Sequence, residues 1–376
     1  MADRFSLKDH LFNADSLADL AAEFAAGVDG FDADEFLALV LPGLQGRELL
    51  QRLEWICDCL EPQLARDFPT MATQLEAAMP PPLDPGRTDD DFGRFIHAVP
   101  GILAVRHGLE THAPRALDVL HAATQRFSME FYIRPFLNRW PDLTLARLAD
   151  WAGDENYHVR RLVSEGTRAR LPWAKNIDLD PLVPLQFLDR LYADKTRYVT
   201  RSVANHLNDI AKIDADLVVA RLRAWRDEGR QTPKEMAWIT RHALRTLIKQ
   251  GHAGALELLG YRADVVVDVA LHLSPDPVQI DASLELDLVL TAEADTPVLV
   301  DYVIWFQKAN GTQAPKVFKL KTAHLKAGKP LNMRKAHRLK GDATTFRLFP
   351  GAHRVQVQIN GVVRAEQRFD LQPSDN

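Results

Sequence analysis

Cysteine is almost missing: the 376 residues include two, Cys57 and Cys59, one residue apart in "LLQRLEWICDCLEPQL". That spacing in a helical stretch makes neither a disulfide framework nor a zinc ligand set, so the pair reads as core filler. Long apolar runs are absent too, and no segment approaches the ~20 apolar residues a membrane span requires. "MADRFSLKDHLFNADSL" has no apolar signal core, which predicts a cytoplasmic protein with no membrane contact. Glycine-rich phosphate loops, a GxSxG elbow and an HExxH helix do not occur, and the thirteen histidines are scattered without metal-ligand spacing. Neither a metal nor a cofactor is therefore expected. Positive charge is in overall deficit, with a formal net charge of −5, which argues mildly against nucleic acid unless one face is locally basic.

What is present suits a soluble globular chain: 46% apolar residues and a mean hydropathy of −0.20. The length predicts two domains. From residue 15 to about 260 apolar residues recur at three- and four-residue spacing, as in "LADLAAEFAAGV", "RFIHAVPGILAVRHGL" and "LARLADWAG", which predicts helices throughout. After "GYRADVV" the period becomes two: "VVVDVALHLS", "SLELDLVLTAE", "VLVDYVIWFQ", "KVFKLKT", "TTFRLFPG" and "HRVQVQING" alternate, with "ANGT" and "INGV" as hairpin turns. The fold class is a multidomain one: an all-α solenoid over residues 1–262, then an all-β immunoglobulin-like sandwich of about seven strands over 263–376, without the disulfide of that fold. The Pro-rich "AAMPPPLDPGRTDDD" at 78–91 reads as a loop between helices.

An internal repeat sharpens the helical half. "LADWAGDENYHVRRLVSEG" from Leu148 aligns with "LDRLYADKTRYVTRSVANH" from Leu188, matching Asp154 to Asp194, Val159 to Val199, Arg161 to Arg201 and Val163 to Val203. Ile239, Arg241 and Ala243 continue the frame a further 40 residues on. Helix pairs at this period are the mark of a HEAT-type solenoid, whose second helices line a concave surface. There Arg161 with Glu165, Arg201 with Asn205, and Arg241 with Arg245 share helix faces at i,i+4. The plain reading is a ladder of surface ion pairs, with Arg160 best suited to it and Asp154 and Glu155 as its partners. The alternative is a groove of guanidinium groups, Arg168 among them, that positions phosphates. Neither accounts for a glutamate at the centre of such a groove.

"RFSMEFYIRPFLNRWPDLTLARLADWAGDENYHVRRLVSEGTRARLPWA" followed by "YVTRSVANHLNDIAK" resembles the AlkC branch of the HEAT-like-repeat alkylpurine DNA glycosylases. These bacterial enzymes excise N3-methylated bases without base flipping. The likeness covers residues 90–260, and the sandwich is similar to the immunoglobulin-like domain of one subset of that branch. It implies that Glu130 in "FSMEF" and Glu165 in "VSEG" are the catalytic carboxylates, that Arg161 supports the lesion strand, and that Trp173 in "LPW" flanks the site. It also sets Asn205, His206 and Asn208 among the DNA-facing groups, with Arg134, Arg168, Arg201, Arg241 and Arg245 alongside. The expected partner is duplex DNA with alkylated bases, bound by a monomer.

The chemistry fits those residue types. A base methylated at N3 is already cationic, so its departure needs no acid, while the deoxyribose takes on oxocarbenium character that a nearby carboxylate stabilises. Trp173 adds cation–π or edge packing, its ordinary alternative being a core anchor. For Glu165 the ordinary alternative is an ion pair with Arg161, and for Glu130 one with Arg134, each at i,i+4. In the sandwich, ten Lys or Arg between residues 301 and 345 face Asp301 and Asp342. "LKAGKPLNMRKAHRLKG" is read as a loop gripping a phosphate backbone through Lys335 and Arg338, rather than as a lysine-protected strand edge. The rival functions are a HEAT-repeat scaffold that binds a protein and a sensor of DNA damage that releases no base.

Overall fold

The structure, a computed structural model, describes residues 6–87, 89, 91–342 and 347–374. Two compact units divide the chain: Met1–Ile210 with Glu228–Ile239, and Ala211–Asp227 with Thr240–Asn376. None of the described helices is long and apolar enough to cross a membrane.

The helices Tyr157–Gly166 and Arg197–Ile210 occupy equivalent places in the 40-residue frame. Asn156 caps the former by accepting the His158 backbone N–H at 2.8 Å, which satisfies one of the four donors that a helix start leaves open. Its apolar stripe, Val159, Leu162 and Val163, is fully buried, as are Val199, Val203 and Leu207 of the equivalent helix. Burial of each such side chain contributes roughly 1.5–3 kcal/mol. Gly166 closes the first helix where no side chain fits: a Cβ there would lie 2.6 Å from Ile133 of the neighbouring helix Ile133–Arg139.

Successive repeats are tied by a buried aspartate. Asp194 receives Arg160 through two contacts of 2.5 and 3.1 Å and shapes its own turn by accepting from the Thr196 backbone and hydroxyl, each at 2.8 Å. One repeat earlier Asp154 does the same work, taking His121 at 2.7 Å and the Asn156 N–H at 2.7 Å. Arg160 does reach Asp154 and Glu155, but at their backbone carbonyls, 2.8 and 2.9 Å away. The expected carboxylate partners are thus replaced by Asp194, because the guanidinium points along the stack rather than back along its own turn.

In the second unit, the sandwich has a three-stranded sheet ordered β1-β3-β6 and a five-stranded sheet ordered β2-β8-β7-β4-β5. The strands are β1 (Val267–Ser274), β2 (Val278–Gln279), β3 (Ser283–Ala292), β4 (Thr296–Gln307), β5 (Gln313–Leu325), β6 (Leu331–Arg338), β7 (Gly351–Ile359) and β8 (Val362–Gln372). Alternate residues turn inward, among them Leu284, Leu286, Leu288 and Leu290 of β3 against Val355, Val357 and Ile359 of β7. Asn360 and Gly361, at φ of +50° and +79°, make the two-residue turn that "INGV" predicts.

Two strand expectations change. Residues 331–338, read as part of a gripping loop, are the edge strand β6, antiparallel to β3 with Lys335 opposite Leu286 and Arg338 opposite Ser283. An edge strand tolerates charge because water reaches one side of it, so its lysines blur the alternation that betrays interior strands. Of "TTFRLFPG", Thr344, Thr345 and Phe346 lie outside the described residues, and Arg347–Pro350 are irregular.

Within the same unit the helix Arg245–Gln250 ends at Gly251, φ +72°, which approaches Gly361 so closely that a Cβ on Gly361 would lie 2.8 Å from the Gly251 carbonyl. The chain leading into β1 is pinned nearby, with Asn360 donating to Arg262 O at 2.7 Å and Arg364 donating to Val265 O at 2.7 Å.

Asp194→Ala is expected to lower stability by about 3 kcal/mol, because it leaves Arg160 with an uncompensated buried charge. Urea denaturation of Asp194→Ala, Arg160→Ala and the double variant checks this. The double variant should lose less than the two singles combined, and strict additivity would deny the coupling.

Candidate functional site

The irregular stretch before the helix Ile133–Arg139, the helix Tyr157–Gly166 with the turn after it, and the helix Arg197–Ile210 bring five charged side chains into one chain of alternating sign. Its order is Glu130, Arg161, Glu165, Arg168, Asp209. Arg161 donates to Glu130 Oε2 and, at 2.6 Å, to the Ser128 hydroxyl, while Ser128 donates to the same Glu130 oxygen at 2.7 Å. From its other side Arg161 faces Glu165 Oε2 at 3.6 Å. Arg168 then bridges Glu165 Oε1 at 2.6 Å and Asp209 Oδ2 at 2.7 and 2.9 Å. Ser202 donates to Glu165 Oε2 at 2.6 Å.

Burial grades along the chain. The Glu165 side chain is 7% exposed and that of Asp209 5%, while Glu130 keeps 18% at the solvent edge. Burial alone would push the Glu165 carboxyl up, but the Arg161 and Arg168 guanidiniums and the Ser202 hydroxyl outweigh it and hold the group below the usual carboxylate range. Arg161 is likewise pulled down by burial and pushed further up by Glu130 and Glu165, which keeps it a cation. Its guanidinium lies 4.9 Å over the Tyr198 ring, and its Nε has no acceptor among the described residues.

Arg87, Asp89 and Phe92 border the site here. Tyr157 donates to the Arg87 carbonyl, Asp89 pairs with Arg201, and Phe92 meets Tyr198 edge-on at 5.4 Å. Tyr157 also packs against His158 with its ring tilted, ring centres 4.1 Å apart, and burial pushes His158 down to about 4.

Several expected site residues stand elsewhere. Arg134 is 1% exposed and donates to the carbonyls of Lys175, Gly166 and Arg168. It therefore neither pairs with Glu130 nor reaches a surface. The i,i+4 argument fails for that pair because Glu130 precedes the helix, which begins at Ile133. His206 is fully buried and Asn208 is 3% exposed, so neither faces outward; Asn205 is half-buried. Arg201 is half-buried and held by Asp89. Arg241 closes the helix Pro233–Ala243, whereas Arg245 opens the next one and donates to the His242 carbonyl at 2.6 Å, so the two do not share one helix. Both belong to the second unit, as do Lys335 and Arg338, which are exposed on β6.

Trp173 is 77% exposed at φ +64°, which rules out the core-anchor reading. It lines an open cavity of about 300 Å³ with Phe131, Tyr132, Leu50 and Pro135.

No sequence pattern singles out Ser128, Asp209 or Tyr198. One signal was available for Ser202: the 40-residue frame sets it on Leu162, so a hydroxyl occupies a slot that a buried leucine fills one repeat earlier. Chemically, the arrangement is a fixed anionic edge. Glu130 has one oxygen committed to Arg161 and Ser128, and behind it stand charges held in place by their partners, a geometry suited to stabilising positive charge or orienting water at that edge.

Residues 268–373 match the family described as YhaZ, C-terminal Ig-like domain. The protein YhaZ of Bacillus subtilis (strain 168) is 37% identical over 270 residues, covering 71% of this chain and 74% of that protein. The alkylpurine DNA glycosylase AlkC of Pseudomonas fluorescens, solved bound to DNA containing an abasic site analog, is similar at a TM-score of 0.81 and 35% identity, covering 98% of this chain and all of that one.

His206 gives this region a pH signature. Burial and the Arg168 guanidinium push it down to about 4, against about 6.5 in an unfolded chain. Between those values the unfolded state binds a proton that the folded state refuses, so stability is full above pH 6.5 and falls as the pH drops toward 4. At pH 5 the loss from His206 is on the order of 1–2 kcal/mol. Urea denaturation at pH 7 and pH 5 checks it: His206→Asn, which keeps a donor for the Ser164 carbonyl, should show a smaller loss than wild type. An equal loss in both would assign the dependence to other groups.

Proposed function

The chain belongs to the AlkC branch of the HEAT-like-repeat alkylpurine DNA glycosylases, and from that membership we propose that it hydrolyses the N-glycosidic bond of cationic N3-methylated bases in duplex DNA. The proposed substrates are 3-methyladenine and, with it, 3-methylcytosine, attacked without base flipping. The single observation that carries this reading is the alternating chain of charge that ends on Glu130 at the solvent edge.

A lesion of this kind leaves as a neutral base, and positive charge moves to the sugar. Glu130 is suited to face that sugar, being partly open with one oxygen fixed by Ser128 and Arg161. It stabilises the oxocarbenium character and orients the water that attacks the sugar. Glu165 adds a second negative charge close behind. Arg161 balances the two carboxylates and is the cation nearest the edge, suited to a phosphate of the lesion strand. Trp173, exposed, is suited to pack against the bound DNA. Arg134 and Arg168 support the site from inside, since their donors are taken by carbonyls, Glu165 and Asp209.

The same network accounts for a restricted substrate range. Uracil and hypoxanthine are neutral and leave well only if protonated, which requires a general acid. Glu165 is held as a carboxylate by two arginines and a hydroxyl, so it has no proton to give. Selectivity then follows from the charge of the leaving base rather than from a pocket that encloses it.

The deciding experiment incubates the protein with duplexes carrying 3-methyladenine, 3-methylcytosine, hypoxanthine or uracil under single-turnover conditions, with chromatography of the released bases. Release of the cationic bases alone is expected. Duplex binding without any release would leave a damage sensor, and robust release of a neutral base would overturn the mechanism. Glu130→Gln should lose about 2.7–4 kcal/mol of transition-state stabilisation, roughly 10²–10³ in rate, with duplex affinity kept or improved.

The sandwich supplies a second expectation. Lys335 and Arg338 are exposed on β6, so Lys335→Ala with Arg338→Ala should leave the fold intact. If both contact phosphates, the slope of log K against log salt becomes shallower by about 2. An unchanged slope in a salt titration would remove them from the interface. These point substitutions are preferable to ending the chain at residue 262, because Arg245–Leu258 belong to the same compact unit as the sandwich.

A further inference from the structure

We propose that Ser202 is a positioning residue of this site: it fixes the Glu165 carboxylate so that Arg161 stays closed on Glu130, and Ser164 orients Ser202 in turn. The inference rests on the glycosylase reading above.

Ser202 is 2% exposed and Ser164 is fully buried. The Ser202 oxygen stands 2.6 Å from Glu165 Oε2 and 2.9 Å from the Ser164 oxygen. A serine hydroxyl has one proton to donate. The carboxylate is both closer and charged, so it takes the Ser202 proton, and the hydroxyl–hydroxyl contact is donated by Ser164. Behind them the His206 Nδ1–H donates to the Ser164 carbonyl at 3.0 Å. That bond sets the tautomer and leaves Nε2 a bare acceptor with no partner among the described residues, so His206 has no proton to pass to the two serines.

Around Glu165, Arg161 comes from its own helix and Arg168 from the turn after it, while Tyr198, Ser202 and His206 come from the helix Arg197–Ile210. Two of these contact the Glu165 oxygens at hydrogen-bond distance: Arg168 at Oε1, 2.6 Å, and Ser202 at Oε2, 2.6 Å. Arg161 stands off at 3.6 Å while bonding Glu130. Charge attraction alone would draw Arg161 onto the more deeply buried Glu165, where its pull is least screened. The Ser202 hydroxyl occupies the oxygen that such a move would use. Packing does not ask for a hydroxyl here, since the equivalent position one repeat earlier is the fully buried Leu162.

Removing the hydroxyl frees Oε2, lets Arg161 move off Glu130, and blurs the negative edge that the departing base leaves behind. The test uses the full chain and two duplexes, one with a protonated pyrrolidine in place of the lesion nucleotide and one with neutral tetrahydrofuran. Wild type should bind the cationic analogue more tightly. Ser202→Ala should lower that preference about tenfold, the scale of one charge-assisted hydrogen bond, while affinity for the neutral analogue stays within about twofold. Should that variant melt early, Ser202→Cys, nearly isosteric and a weak donor, should show a smaller drop in the same ratio. An unchanged ratio, or an equal fall for both analogues, would overturn the proposal. A wild type that neither prefers the cationic analogue nor releases methylated bases would instead overturn the glycosylase reading.

Discussion

One guanidinium between two carboxylates organises the first unit's charged interior. Arg161 joins Glu130 to Glu165, and Arg168 repeats the arrangement between Glu165 and Asp209. Buried charges of this kind are tolerated only when each has its partner and its hydrogen bonds, so the three segments that supply them hold one another to a narrow geometry. Arg134 belongs to the same constraint. Its fork gathers three carbonyls where the helix Tyr157–Gly166 ends, and this restrains the stretch through Arg168 and Lys175 despite its lack of regular structure. The site's rigidity is therefore electrostatic as much as it is hydrophobic.

Much of the fold was legible because it follows from periods. Apolar spacing of three and four marks the solenoid, alternation marks the interior strands, and the 40-residue frame puts Arg161 and Glu165 on one helix face. The pairing of Glu130 with Arg161 was not legible. It depends on a bend before Ile133 that brings residues 31 apart in sequence together, and no local pattern encodes a contact of that range. Arg134 misled for a related reason: arginine is ordinarily exposed, and nothing in "YIRPF" shows that three carbonyls wait for it. β6 escaped because edge strands follow solvent rules on one side.

Relief of electrostatic demand also explains why Ser202, Ser128 and Tyr198 drew no notice. Serine and tyrosine are common in any sequence, and their importance here comes from the carboxylate or guanidinium each touches. Only a comparison between repeats separates them from background, as with the hydroxyl standing on the leucine register. Arg87, Asp89 and Phe92 are beyond the reach even of that comparison, since they lie outside the repeating helices and meet the site through Tyr157, Arg201 and Tyr198.

The charged rim of β6 has a consequence for how this chain tolerates change. Arg334, Lys335 and Arg338 stand on a strand that terminates its sheet, and a terminal strand with unpaired backbone groups invites pairing with a second copy. Charged side chains on such a rim therefore also discourage pairing between neighbouring molecules in concentrated solution. A lineage that lost its taste for DNA would still be under pressure to keep them, and their persistence in a relative would say as much about solubility as about repair.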